Sequence, residues 1–206
     1  MHRTCILLLA ISASVTPTFG QADEPKPKVS PDPLTEEQIA IYRVVLLDYL
    51  KDAKSTINLA DITDTLDDNE RSFNGGCPRN DSSQARTSDA VVHRFSFSPP
   101  LDTRVKIVDP DQQQKQIAQN DPQNLLKKAI DGHENVSEKQ LDDSVKTAFR
   151  TGLFSFSEIV FDKNHEKVLL KYAFVCGGLC GHGHTLILKK SGGTWKIIKT
   201  CSSWVS

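Results

Sequence analysis

The sequence predicts an α+β domain in which amphipathic helices pack on an antiparallel sheet that ends in a four-stranded C-terminal meander. Two observations support this prediction. Apolar residues recur at helical spacing in three segments before Leu153, and after it their period changes to two. The loops that join the strands after Leu153 are too short for crossover connections, so neighbouring strands must run antiparallel. Helices that precede such a sheet can cover it.

The first 22 residues have the layout of a secretory signal peptide. Arg3 precedes an apolar run, and Gly20 and Ala22 place small side chains where a signal peptidase requires them. We expect cleavage before Asp23, with a cut between Gly20 and Gln21 as the alternative, and a periplasmic or secreted bacterial protein.

A single domain is expected to follow a short tether. Residues 23–33 contain four prolines, several charges and almost no apolar side chains, which is typical of an extended, solvated segment. Residues 34–206 have the length of one domain with a substantial core. No run after the leader reaches the roughly 18 apolar residues of a membrane helix, so we expect no transmembrane segment in the mature chain.

The charge balance argues against nucleic acid as a partner. The chain has 25 basic and 26 acidic residues, and loss of Arg3 with the leader changes the formal net charge from −1 to −2. Nucleic-acid binding requires a basic stripe that replaces counterions, whereas lysines and arginines here are spread among carboxylates.

The first half of the domain is predicted to begin with a helix over 36–53, because Thr35 and Gln38 form a capping box ahead of an apolar stripe. A strand over 55–62 follows, being rich in β-branched and apolar residues. Residues 64–89 are polar and predict a long loop that a disulfide at Cys77 would pin. Two further strands are predicted, over 91–97 and 105–108.

Two more helices are predicted before the meander. Asp121 and Pro122 form a helix start, and Gly132 is typical of a helix end. A second capping box at Ser137 and Gln140 opens a helix that Gly152 closes. Their apolar faces are expected to be buried on the sheet and comprise Leu125, Leu126, Ala129 and Ile130 in one helix and Leu141, Val145, Ala148 and Phe149 in the other. The meander strands are predicted over 153–161, 167–176, 184–190 and 194–201.

Strand register predicts one cluster of cysteines and histidines. A simple hairpin at Gly192 places Cys201 opposite position 183, and a turn near Cys180 places Cys176 opposite His184. The residues expected to share this end of the sheet are Cys176, Cys180, His182, His184 and Cys201.

Three interpretations of this cluster compete. Four cysteines remain after the leader, and in an oxidising compartment they favour two disulfides whose pairing the sequence does not determine. The candidates are Cys77, Cys176, Cys180 and Cys201. The second interpretation is a zinc or copper site whose ligands would be Cys176, Cys180, His182 and His184, although their spacing matches no closed zinc motif. The third is thiol exchange, which ordinarily uses a Cys-x-x-Cys pair at a helix start, whereas here three residues intervene.

The last quarter of the chain, from Phe154 to Ser206, resembles a family of uncharacterised exported bacterial proteins. The motifs that carry the resemblance are Phe156–Phe161, Gly178–Gly183, Gly193–Lys196 and the terminal Trp204-Val205-Ser206. The resemblance implies export and no assigned activity, so it transfers no catalytic residue. A helix ahead of a curved meander is also similar to the cone-shaped cystatin-like and nuclear-transport-factor-2-like folds.

These observations favour a non-catalytic binding or interaction module of the bacterial envelope, with no cofactor, whose partner is an envelope protein or a small ligand. The alternative is a metal-binding protein that uses the Cys/His loop over 176–184 with zinc or copper. A third hypothesis is a hydrolase or thiol enzyme whose site no linear motif reveals.

Overall fold

The computed structural model describes residues 28–52, 56–78, 91–95, 102–132 and 135–206. The predicted leader and its cleavage point lie outside these ranges. The helices within them are α1 Glu36–Leu50, α2 Asp68–Arg71, α3 Pro110–Gln119, α4 Gln123–Ile130 and α5 Glu138–Thr151. The strands are β1 Lys28–Val29, β2 Ile57–Ala60, β3 Val91–Val92, β4 Val105–Val108, β5 Leu153–Phe156, β6 Val160–Phe161, β7 Lys167–Gly177, β8 Cys180–Ser191 and β9 Thr194–Val205.

The predicted α+β class and the C-terminal meander are confirmed. Seven strands form the main sheet in the order β4-β2-β5-β7-β8-β9, with β6 paired to β7 outside this path. The strands from β5 onward pair antiparallel. β2 instead pairs parallel with both β4 and β5, because long connections with helices lie between these strands in the chain.

Helix α1 begins where its sequence signals place it. The Thr35 hydroxyl accepts a hydrogen bond from the Gln38 N–H at 3.2 Å, while the Thr35 N–H donates to the Gln38 side chain at 2.9 Å. The helix buries Tyr42, Leu46 and other apolar side chains against the sheet. The hydroxyl of Tyr42 donates to the Ser157 carbonyl at 2.9 Å in the core, so this buried polar group is satisfied.

The two faces of the sheet have different covers. The front face, which α1 covers, bears alternate β7 side chains such as Leu170 and Phe174 in the main hydrophobic core. The back face bears the intervening residues, of which Leu169 packs with Leu66 and Phe73 of the connection after β2. Helix α3 covers another part of the sheet through the buried Ile117, which packs with Ala60 and Leu153.

The connection after β2 is more ordered over its described residues, 61–78, than the predicted polar loop over 64–89, whose last residues lie outside the described ranges. Leu66 is fully buried and Phe73 is 7% exposed. Between them Asp67 and Glu70 form the capping box of the four-residue helix α2. Two isolated apolar residues are too few to produce a periodic pattern, but each fills a site on the back face.

Three further differences concern the part of the chain before α4. Helix α3 was not predicted, although Asp109 caps it and Pro110 occupies its first turn. Two residues of the predicted tether, Lys28 and Val29, pair in parallel with Val91 and Val92. The predicted strand over 91–97 is reduced to β3 and one isolated bridge between Arg94 and Ile62, and its last two residues lie outside the described ranges.

The predicted register of the meander is wrong at both hairpins. The β7–β8 turn is formed by Gly178 and Leu179, two residues earlier than expected, so that Tyr172 rather than Cys176 lies opposite His184. The second hairpin turns at Gly192 and Gly193, and two further irregularities between β8 and β9 add to the shift, which places Trp204 rather than Cys201 opposite Gly183. None of the helices in the described ranges is long and apolar enough to cross a membrane.

Candidate functional site

The four cysteines form two disulfides, as the first interpretation predicts. Cys176 pairs with Cys180 across the β7–β8 turn, with Cα atoms 5.0 Å apart. Cys77 pairs with Cys201 at a Cα separation of 5.3 Å and ties the connection after α2 to β9. Both separations lie within the usual range for disulfides.

The structure brings together only part of the predicted Cys/His cluster. His182 and His184 share the front face, with ring centroids 6.1 Å apart, and the Cys176–Cys180 disulfide lies beside His182. Cys201 belongs instead to the back-face cluster with Leu169 and Cys77. The shifted register of β9 explains this separation.

The disulfides also bear on the metal and thiol interpretations. Cys176 and Cys180 were two of the four predicted ligands, and a disulfide sulfur is not the thiolate that zinc or copper(I) prefers. Within the described part of the chain, no group of three or more His, Cys, Asp or Glu side chains is arranged to hold a metal ion. Metal ligation by Cys176 and Cys180, or thiol exchange at this hairpin, would first require reduction of the disulfide.

A groove with a volume of about 470 Å³ opens on the front face beside the disulfide. Its walls are α4, α5, the β7–β8 turn and the end of β9. Most of its lining is apolar and comes from Leu126, Leu141, Val145, Phe149, Phe174, Leu179 and Val205. We call this surface the front groove.

The walls of the front groove are helix faces that were expected to be buried. Ala148 of α5 is fully buried, but Phe149 beside it is 53% exposed. In α4 no residue is buried, and Leu126 and Ile130 are 40% and 83% exposed. The expected burial of both faces is therefore wrong for α4 and only partly right for α5. The sheet covers one edge of α5, and the remaining apolar surface is open to solvent.

Asp121 fixes one end of the front groove. One oxygen of its carboxylate accepts a hydrogen bond from the Gly178 N–H at 2.8 Å, and the other accepts from the Gln123 N–H at 2.9 Å. A Cβ at Gly178 would approach the amide group of the Gln123 side chain to 2.9 Å, so a larger residue in the turn would require this side chain to move. The carboxylate therefore joins the hairpin turn to the start of the helix.

His182 is the titratable group at the floor of the front groove. Its imidazole stacks on Tyr49 at 5.8 Å and lies 5.7 Å from Phe174 between ring centroids. It makes no side-chain hydrogen bond to another residue in the described ranges. Burial, and secondarily the charge of nearby His184, lowers the pKa of His182 below its ordinary value of 6.5. The neutral ring then has one N–H donor and one nitrogen acceptor available.

Comparisons with known proteins identify no relative. No family model matches the chain, and no curated protein and no solved structure matches it. The family resemblance of the C-terminal motifs and the similarity to cone-shaped folds therefore stay predictions.

The sequence placed His182, Cys176 and Cys180 correctly in one region but gave no indication of the front groove. Its walls include Leu126 of α4 and Phe149 of α5, two residues that lie 23 positions apart in the sequence. The available signal was the presence of two consecutive amphipathic helices whose apolar faces together exceed what one edge of a sheet covers.

Proposed function

We propose that this protein is an exported, non-catalytic binding module that holds a small apolar molecule in the front groove. The ligand would carry a single hydrogen-bonding group directed at His182. The observation that supports this proposal is the combination of an open apolar groove with a neutral imidazole that makes no hydrogen bond to another side chain or backbone group in the described part of the chain. A largely apolar concavity with few polar groups is the usual form of a small-molecule site.

The dimensions of the groove fit a small ligand. A volume of about 470 Å³ lies within the range of roughly 300–1,000 Å³ that small-molecule sites occupy. Apolar surface that a ligand removes from water contributes about 25 cal/mol per Å² to the binding free energy. Exposed side chains such as Phe149, Leu179 and Val205 provide this surface before any ligand is bound.

Export is part of the proposal, and the two disulfides support it. Disulfides persist in the periplasm and outside the cell, whereas cytosolic reductants keep most thiols reduced. The signal-peptide layout of residues 1–22 agrees with this location.

The chemistry of the groove favours binding over catalysis. Asp121, a carboxylate in the lining, is engaged by two backbone N–H groups. Its two oxygens therefore position the hairpin turn rather than orient His182, as the carboxylate of a catalytic triad would.

Probe binding with matched variants tests the proposal. N-phenyl-1-naphthylamine, an uncharged probe that fluoresces in apolar surroundings, is titrated into the disulfide-bonded protein. We expect saturable binding that Phe149→Ala weakens about tenfold, because part of an aromatic contact is lost. Ile198→Ala is the control, since Ile198 is 52% exposed, like Phe149 at 53%, but lies outside the groove. Equal effects of the two substitutions would contradict the proposal.

A second pair of probes tests the role of His182. We expect 1-naphthol to bind more tightly than naphthalene, because its hydroxyl can pair with the imidazole. In His182→Phe, which keeps an aromatic ring, this preference should disappear while naphthalene binding is retained. A preference for 1-naphthol that survives the substitution would remove His182 from the site.

A further inference from the structure

The back face of the sheet has a second pocket, with a volume of about 380 Å³ and a different chemical character. Its lining is mostly polar and spans β5, β7, β8 and β9 together with the residues just after β2. We propose that this pocket, which we call the back pocket, binds the pyranose ring of a neutral saccharide on Trp204. This site is separate from the front groove and does not depend on the function proposed for it.

Trp204 forms an aromatic platform on the sheet. It lies opposite Gly183 on the neighbouring strand and is 44% exposed. A side chain at Gly183 would approach the indole nitrogen to 2.3 Å, and one at Gly181 would approach the far ring carbon Cη2 to 3.2 Å. The indole therefore extends along β8 over both glycines, and Trp204 is one of the residues that line the pocket.

Such a platform suits a sugar ring. The face of a pyranose that bears axial C–H groups is apolar and slightly positive, and the face of an indole carries the negative part of its quadrupole. Because Trp204 rests on the backbone of two glycines in a paired strand, little side-chain freedom is lost when a ligand stacks on it. Gly181 and Gly183 thus leave the space in which the indole lies against the strand.

Hydroxyl groups line the floor and side of the back pocket. Ser202 donates to the Thr185 hydroxyl at 2.9 Å, which leaves the acceptor capacity of Ser202 available. Ser155 also lines the pocket, and its hydroxyl makes no hydrogen bond to another residue in the described part of the chain. Neutral groups that both donate and accept match the hydroxyls of a saccharide, which do the same.

The charges at the wall disfavour an anionic ligand. Lys171 lines the pocket, but its ammonium lies 2.9 Å from the carboxylate of Glu70, which is 8% exposed. Asp64 is the carboxylate that lines the pocket itself. Because the Lys171 ammonium is already paired with Glu70 and Asp64 brings a negative charge, the lining favours a neutral ligand over phosphate or sulfate.

The indole N–H resonances of nitrogen-15-labelled protein test this inference. The chain has two tryptophans, and Trp195 is buried in the front-face core, so it is an internal reference. The probes are glucose, galactose, N-acetylglucosamine and the β-linked disaccharides of glucose and N-acetylglucosamine. We expect at least one of them to shift the Trp204 resonance in a saturable way, with affinity on the order of millimolar, and to leave Trp195 unmoved.

Variants assign the effect to the platform, with binding followed on the sugar by saturation transfer. Trp204→Ala should weaken binding about tenfold and Trp204→Phe less, while Ser155→Ala should weaken it severalfold. The control Ser203→Ala, on the same strand but opposite His184 on the front face, should bind as the parent does. Phe149→Ala should also have no effect, which separates this site from the front groove. The inference is overturned if no probe moves the Trp204 resonance of the folded protein, or if Trp204→Ala binds sugar with unchanged affinity.

Discussion

The two disulfides should differ strongly in what they contribute to stability. Cys77 and Cys201 are 124 residues apart in sequence, whereas Cys176 and Cys180 are separated by 4. In the chain-entropy model, a disulfide stabilises the fold by reducing the conformational entropy of the unfolded chain. At 25 °C this contributes about 5 kcal/mol to the free energy of unfolding for the Cys77–Cys201 disulfide and about 2 kcal/mol for the Cys176–Cys180 disulfide. Replacing both members of a pair with alanine should therefore lower the free energy of unfolding much more for Cys77 and Cys201.

Packing reduces this difference without reversing it. Cys176 is fully buried, so its replacement also leaves a small cavity worth about 1 kcal/mol. The assay is urea unfolding of the two double variants and the parent without reductant, followed by tryptophan fluorescence. A domain has only about 5–15 kcal/mol of stability. The variant without the Cys77–Cys201 disulfide should therefore unfold at a far lower urea concentration than the parent. If the Cys176/Cys180 variant were equally or more destabilised, the loop-closure argument would be refuted.

Three further changes follow from individual contacts. Gly152→Ala should lower the free energy of unfolding by about 1–3 kcal/mol, because the added Cβ would lie 2.3 Å from the Phe174 ring. The control Gly76→Ala, whose added Cβ would have its nearest neighbour at 3.8 Å, should be close to neutral in the same urea assay. Tyr42→Phe should cost about 1 kcal/mol, since it leaves a buried carbonyl without its donor; an unchanged urea midpoint would contradict this. The lowered pKa of His182 means that the folded state binds fewer protons than the unfolded state, so its contribution to stability is complete above pH 6.5 and is lost as the pH falls through the folded pKa. In His182→Gln this part of the acid destabilisation should be absent, and the imidazole resonance of the parent should titrate below pH 6.5.

Helix starts were predictable because their signals are local. At α1 and α5 the side chains of Gln38 and Gln140 lie three residues after the caps Thr35 and Ser137, and the structure shows both capping boxes. These interactions depend on a few neighbouring residues and not on what the helix later packs against.

Helix α3 shows where local reasoning fails. Its start at Asp109 and Pro110 has the same signal as the predicted start at Asp121, yet its sequence has few apolar residues. It is held by Ile117, which is 4% exposed, and by Gln113, whose amide donates to the Thr151 carbonyl at 2.6 Å. Because a buried glutamine is not an apolar residue, it adds nothing to the periodic pattern of apolar residues from which a helix is predicted.

Prediction of the candidate site required the strand register and the identity of the apolar helix faces that no other element covers. Neither property is determined by a short stretch of sequence. Cys201 lies between Thr200 and Ser202, which pair with consecutive residues of β8, so it is the extra residue of a bulge. A bulge changes the register of every residue beyond it, so an earlier bulge at Ile198, together with the two-residue turn at Gly192 and Gly193, explains why the predicted position of Cys201 was wrong. The open face of Phe149 depends on how far α5 extends beyond the sheet, and periodicity alone cannot show whether an apolar face is covered.

Methyl resonances observed during ligand titration test the central claim most directly. With N-phenyl-1-naphthylamine added to the disulfide-bonded protein, we predict saturable shifts of the methyl groups of Leu126, Leu179 and Val205 in the front groove. The methyl groups of Leu66 and Leu169 in the back-face cluster should remain unmoved. Shifts confined to the back face, or no saturable shifts in the front groove, would contradict the proposal that this groove is a ligand site.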